Sequence, residues 1–319
     1  MSDSRIPTPA PRPTRRSALA LWIISCGGIV LAGLVTLLVP ALGRLHPQAR
    51  QLVYGLLAYV PFIVLPVFLV TRREAGMWRS LRPYPVSFFS ALVIVSLAVV
   101  CVFFMSDLTA LWTIALEAIG LHPGSPGIDV PASTGGMMLY IFYMAILPGV
   151  CEELLFRGAM LSSFERCGTR HAIYFSTALF ALSHGSFTGL PAHLLLGAIL
   201  GTLVVCCDSI YAGCIFHTAY NAATVILVAV AARSGEAAAE TGRMLDAVGG
   251  AAGVVALLGE MLLSGAMICF AMRMFRATAR LRGVAVHPRR REPLRGGERA
   301  MLFVGLLFAA VLYLADIFL

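Results

Sequence analysis

Residues 18–39 read ALALWIISCGGIVLAGLVTLLV, a run of 22 residues without a charge. At about 1.5 Å per residue, a helix of that length matches the roughly 30 Å hydrocarbon core of a bilayer. A secretory leader has an apolar core of only about 7–15 residues closed by small residues. This run is longer and has no clear cleavage site, so it reads as a retained anchor. The next spans read from the sequence are 51–70 and 86–105, both uncharged, then 136–161, 172–186, 190–207, 210–232, 250–272 and 300–319. The fold class expected is all-α: a polytopic integral membrane helical bundle of about nine transmembrane spans. Pro61 and Pro66 should kink the second span, which helices packed in a membrane tolerate.

Composition points the same way. Apolar types make up 59% of the 319 residues and charged types 13%, against roughly 45–50% and 25% in soluble domains. The mean hydropathy is +0.86. A soluble protein of this size needs a polar skin that this chain cannot supply. A soluble enzyme, a disordered chain and a disulfide scaffold are excluded. Long unbroken apolar runs suit helices better than the alternating strands of a barrel. The eight cysteines form no CxxC pair and read as small buried hydrophobes.

All 24 basic residues are arginine and the net charge is +8. In a soluble protein that would suggest nucleic acid as a partner. Here the arginines fall between apolar runs and read as topology signals, so no nucleic acid is expected. Arg72, Arg73, Arg79 and Arg82 lie in the 71–85 loop, Arg166 and Arg170 in the 162–171 loop, and nine arginines in the 273–299 loop. The 106–135 stretch, with Asp107, Glu117 and Asp129, has none; its first half reads as an interfacial helix. Positive loops stay cytoplasmic, which places the N-terminus inside and the C-terminus outside. The Arg44–Arg50 loop runs slightly against this. Arginine-only usage with abundant Ala and Gly suggests a GC-rich bacterial genome, hence an inner membrane. Four divisions follow: a disordered basic tail at 1–17, three spans with an outer loop at 18–135, a core at 136–232, and two spans with a basic loop at 233–319.

Ionisable residues within spans are costly and usually functional. They concentrate in Cys151-Glu152-Glu153-Leu154-Leu155-Phe156-Arg157, in Phe180-Ala181-Leu182-Ser183-His184 and in His217-Thr218-Ala219-Tyr220-Asn221. Glu153 and Arg157 are i,i+4 and face one another. Glu152 sits about 100° round the helix and has no cation on its own helix. Phe180 with His184, and His217 with Asn221, share faces of their helices by the same spacing. Counted inward at about 1.5 Å per residue, Glu152, His184 and His217 lie roughly 14, 19 and 10 Å deep. One buried site is expected. A carboxylate stripped of water there suits a general base, with His184 orienting the water and Asn221 and His217 as oxyanion donors.

Glu-Glu-x-x-x-Arg, Phe-x-x-x-His and His-x-x-x-Asn in this order on successive apolar segments resemble the CPBP (Abi) family of intramembrane proteases, which includes the Rce-type CAAX prenyl endopeptidases. The resemblance covers about residues 136–232. It implies an intramembrane endopeptidase acting near the membrane-proximal or C-terminal end of a membrane-embedded or lipidated protein. It implies Glu152 as the catalytic glutamate, His184 as its partner on the water, His217 and Asn221 on the oxyanion side, and Glu153 with Arg157 as a supporting pair. No cofactor is expected. The alternative is zinc on Glu152, His184 and His217, although the zincin signature His-Glu-x-x-His is absent and Asn221 is a poor zinc ligand. A rhomboid-type Gly-x-Ser-Gly is absent, and every Asp reads as lying in a loop or at a span end, which disfavours an aspartyl protease. A non-catalytic immunity or scaffold protein of the same fold is the rival reading. A transporter would call for an inverted repeat that the sequence does not display.

Four further features are less tied to the motifs. His193 reads as an interface residue near the outer loop. Glu260 stands alone in its span and should face the cavity or be protonated. Cys151 and Cys214 lack the setting of a nucleophile. The 276–299 arginine cluster reads as a topology anchor that could also meet anionic headgroups.

Overall fold

The computed structural model describes residues 12–75, 81–121, 131, 133–234, 244–284, 286, 288 and 292–318. Within them the long helices are α1 (Arg15–Leu38), α2 (Pro47–Glu74), α3 (Phe88–Ala118), α4 (Thr134–Cys167), α5 (Thr169–Ser183), α6 (Leu190–Cys207), α7 (Ile210–Ser234), α8 (Gly250–Leu281) and α9 (Gly296–Phe318). All except α5 are long and apolar enough to cross a membrane. The protein is an all-α integral membrane bundle. At 15 residues, α5 spans about 22 Å and falls short of the hydrocarbon thickness.

Several boundaries differ from the sequence reading. The third helix does not stop at Met105 but runs unbroken to Ala118, so Asp107 lies inside it and is buried. The supposed interfacial segment is its last three turns. The eighth helix continues past Met272 to Leu281 and carries Arg273, Arg276 and Arg280 on its surface. Long arginine side chains can reach the interface from inside a span. Of the basic tail, residues 12–17 are described: α1 begins at Arg15 with Thr14 capping Ser17 N, and residues 1–11 lie outside the described residues. So do Asp129, Arg79 and Arg289–Arg291, on which parts of the loop reading rested.

The chain runs up and down. At one end Glu165 accepts from Arg82 at 2.6 Å and pairs with Arg12 at 3.1 Å, Arg82 also meets Asp208 at 3.2 Å, and Arg15 meets Glu298 at 3.2 Å. Thr14 N donates to Glu74 at 2.9 Å. The start of α1, the ends of α2, α4 and α6 and the start of α9 therefore gather at this arginine-bearing end. Asp316, near the far end of α9, accepts Phe187 N at 2.8 Å. Eighteen residues of helix separate it from Glu298, or about 27 Å. The α5–α6 turn thus lies toward the opposite end, and Arg12 and Asp316 stand at opposite ends of the bundle.

In the middle, α4 packs against α1, α2, α5, α6 and α7, while α7 also packs on α3. The outer helices are α8, on α3 and α6, and α9, on α1 and α5. Small residues let backbones approach in a bilayer. Gly149 does so for α4 and α7: a Cβ there would lie 2.9 Å from Thr218 N and 3.0 Å from its Cα. Gly149→Val should force these helices apart. The overpacking should cost about 1–3 kcal/mol, seen as a lower unfolding midpoint in detergent. An unchanged midpoint would rule out so close an approach.

Candidate active site

Helix α4 is irregular where it carries the chemistry. Leu147 N bonds to Phe142 O across a wide i→i+5 turn, and Pro148 follows without an N–H to give. A second π-helical stretch runs from Leu154 to Leu161, directly after Glu152 and Glu153. Such turns are frequent at functional sites. Ser176 on α5 donates to Phe156 O at 2.7 Å, satisfying a carbonyl within that stretch.

The two adjacent carboxylates serve different partners. Glu153 is fully buried; its Oε1 accepts from Arg157 Nη1 at 2.8 Å and from His217 Nδ1 at 3.0 Å. Arg157 also reaches Gly197 O at 3.3 Å and lies 4.4 Å from the Phe180 ring centre. Gly213 on α7 leaves room for this group, since a Cβ there would come within 2.6 Å of Glu153 Oε2. Arg157, Glu153 and His217 thereby tie α4 to α6 and α7.

Glu152 faces the other way. Its Oε1 accepts from Tyr59 Oη on α2 at 2.7 Å, and its Oε2 lies 3.7 Å from His184 Nε2. Oε2 is buried with no hydrogen-bond partner among the described residues. His184 Nδ1 is 2.8 Å from Phe180 O. A carbonyl only accepts, so Nδ1 carries the proton, and Nε2 of the neutral ring is a bare acceptor. Two acceptors at 3.7 Å need a donor between them. One water at about 2.8 Å from each satisfies both.

Phe180 is the hub of the site. Its ring centre is 4.6 Å from that of His184, 5.9 Å from that of His217 and 5.3 Å from that of Phe156. Behind His184, Ser183 receives Trp22 Nε1 at 2.8 Å and donates to Leu179 O. A cavity of about 180 Å³ opens in front of Glu152 and His184. Its walls are Ile29, Ala58, Ile63, Leu155 and Phe156, with Ser25, Tyr54, Tyr59 and Ser183 as polar points.

Of the expected residues, Glu152 and His184 face one another, 3.7 Å apart. His217 is on Glu153 instead. Asn221 is half-buried one turn beyond His217, and among the described residues no hydrogen bond joins it to Glu152 or His184. The three residues of the zinc alternative are not gathered at one point: His184 faces Glu152 while His217 is on Glu153, and among the described residues no three His, Cys, Asp or Glu side chains are grouped to hold an ion. His193 lies in the first turn of α6, next to the α5–α6 turn as read, but it also faces the site. Its ring stacks on His184 with centres 3.9 Å apart, and its buried Nδ1 has no hydrogen-bond partner among the described residues. Glu260 lies exposed on α8, beside Asp107 rather than in the cavity. Tyr59 escapes a sequence reading because it belongs to no local motif, and for the same reason the contact of His193 with His184 is not foreseen.

Residues 134–223 match the family model of the Type II CAAX prenyl endopeptidase Rce1-like proteins. The match runs from the start of α4 to just past Asn221 and leaves α1, α2, α3, α8 and α9 outside it. No curated protein and no solved structure matches the chain.

Proposed function

Starting from an Rce1-like segment at residues 134–223 set in a membrane bundle, we propose that this protein is an intramembrane endopeptidase of the glutamate type. It cleaves near the membrane-proximal or C-terminal end of a membrane-embedded or lipidated protein. The observation that carries this reading is the Glu152 Oε2–His184 Nε2 pair, two facing acceptors 3.7 Å apart beside a cavity.

The water held there gives one proton to Glu152 as its oxygen attacks the scissile carbonyl carbon. His184 Nε2 accepts the other O–H and aims the lone pair. The new C–O bond leaves charge on the carbonyl oxygen, where we assign Asn221 of α7 as the donor, a residue outside the cavity wall. His217, its Nδ1 proton held by Glu153, donates from Nε2 only as the imidazolium. Collapse breaks the C–N bond, and the proton on Glu152 passes to the leaving nitrogen. The arginine-bearing end is assigned to the cytoplasm. The small depth of α5 sets the α5–α6 turn, with His184, within the bundle rather than in open water.

The test is a comparison of membrane proteomes between cells making the parent protein and cells making Glu152→Ala. A precursor with an uncut membrane-proximal or C-terminal segment should accumulate in the variant and disappear on complementation. Identical proteomes, with the parent shown to be expressed, would return the chain to a non-catalytic scaffold.

A further inference from the structure

Tyr59 stands outside the family match, on the last α-helical turn of α2 before the backbone opens into a π-helical turn at Val60–Val64. The cause of that opening is local: Pro61 has no N–H to offer, and Leu65 N bonds back to Val60 O. The widened turn leaves Ala58, Tyr59 and Ile63 together on the cavity wall. Tyr59 Oη then reaches Glu152 Oε1 at 2.7 Å across 93 residues of sequence.

A buried tyrosine hydroxyl usually finds some partner. Here the partner is the carboxylate assigned as base. The terminal torsion of a glutamate is broad and nearly two-fold, so the side chain alone does not decide which oxygen faces His184. A donor on Oε1 does. It leaves Oε2 free, buried and aimed at His184 Nε2.

We propose that Tyr59 is a positioning residue for the hydrolytic water: its hydroxyl locks the Glu152 carboxylate so that Oε2 and His184 Nε2 share that water. The assignment rests on the hydrolase reading above. It also gives the N-terminal helices a part in the chemistry, since α2 supplies this hydroxyl and α1 supplies Ser25 and Ile29 to the same cavity.

The experiment uses the full-length protein in liposomes, with the precursor segment found in the proteome comparison or a prenylated peptide as probe. Tyr59→Phe keeps the ring and removes the donor. A hydrogen bond to a charged group is worth roughly a factor of ten or more, so kcat should fall about tenfold with KM within about twofold, in a protein that is still folded and melts cooperatively at a somewhat lower midpoint. Tyr59→Ala controls for packing. Parent-like kcat in Tyr59→Phe, with loss in Tyr59→Ala alone, would overturn the proposal by reducing Tyr59 to a wall residue. Should Tyr59→Phe prove unstable, 3-fluorotyrosine at position 59 keeps the shape and changes the strength of the donor. It should alter kcat by about twofold or more, and an unaltered kcat overturns the proposal. An active parent with inactive Glu152→Gln and unaffected Tyr59→Phe removes Tyr59 alone. An inactive parent, or an active Glu152→Gln, removes the hydrolase reading and this assignment with it.

Discussion

Glu152→Gln should fold and insert like the parent protein and lose about 10³-fold in turnover, within the range expected for removing a general base. The substitution is isosteric. The amide oxygen can still accept from Tyr59 Oη, which is 2.7 Å from Oε1 in the parent. What changes is the atom facing His184. The NH₂ group that replaces Oε2 is a donor, and it meets the bare Nε2 of His184 across the 3.7 Å gap. At that distance the two do not hydrogen-bond directly, but a donor and an acceptor no longer present one water with two acceptors. The base is lost and the water is turned, while Glu153, Arg157 and His217, which hold the helices, are untouched. The measurement pairs a cleavage rate in proteoliposomes with a melting curve in detergent. Parent-like cleavage in a folded Glu152→Gln would end the case for Glu152 as the base.

Much of this was legible in the sequence, and the parts that were not share one physical reason. Charge-free runs located the spans because burial in lipid demands apolar surface all round. Their ends were less legible. Residues 106–118 continue α3 because Asp107 is buried in the bundle rather than solvated, and Arg273–Arg280 continue α8 because arginine tolerates an interfacial helix end. Helical spacing paired Glu153 with Arg157 correctly. It also separated Glu152 from Glu153 by about 100°, and the two carboxylates do face different helices. Periodicity fixes which residues share a face, but it does not say which helix that face meets. His217 was therefore grouped with Glu152 when it packs on Glu153, and His193, rightly placed near the outer loop, was not seen to stack on His184. Tyr59 carries no local signal at all, being one more aromatic in an apolar run.

Arg157→Met should destabilise the bundle more than any other single change considered above, by about 3–5 kcal/mol, because breaking a buried pair leaves an uncompensated charge. Arg157 and Glu153 are both essentially inaccessible. With the guanidinium gone, Glu153 Oε1 keeps His217 as its one remaining donor among the described residues, and its Oε2 already lacks a partner. Gly197 O loses the donor at 3.3 Å, and Phe180 loses the cation 4.4 Å from its ring centre. Lysine is no substitute: it lacks the planar fork that reaches a carboxylate and a carbonyl at once and stacks on the ring. The effect separates from a mere loss of packing through the double variant. Replacing a buried pair by neutral groups of similar volume is often close to neutral, so Glu153→Gln with Arg157→Met should recover a large part of the stability lost in Arg157→Met alone. Unfolding midpoints of the parent, both single variants and the double variant in one detergent supply the comparison. If Arg157→Met melts with the parent, the pair does not hold α4 to α6 and α7. If the double variant is as unstable as Arg157→Met, the loss comes from the missing side chain and not from the stranded charge on Glu153.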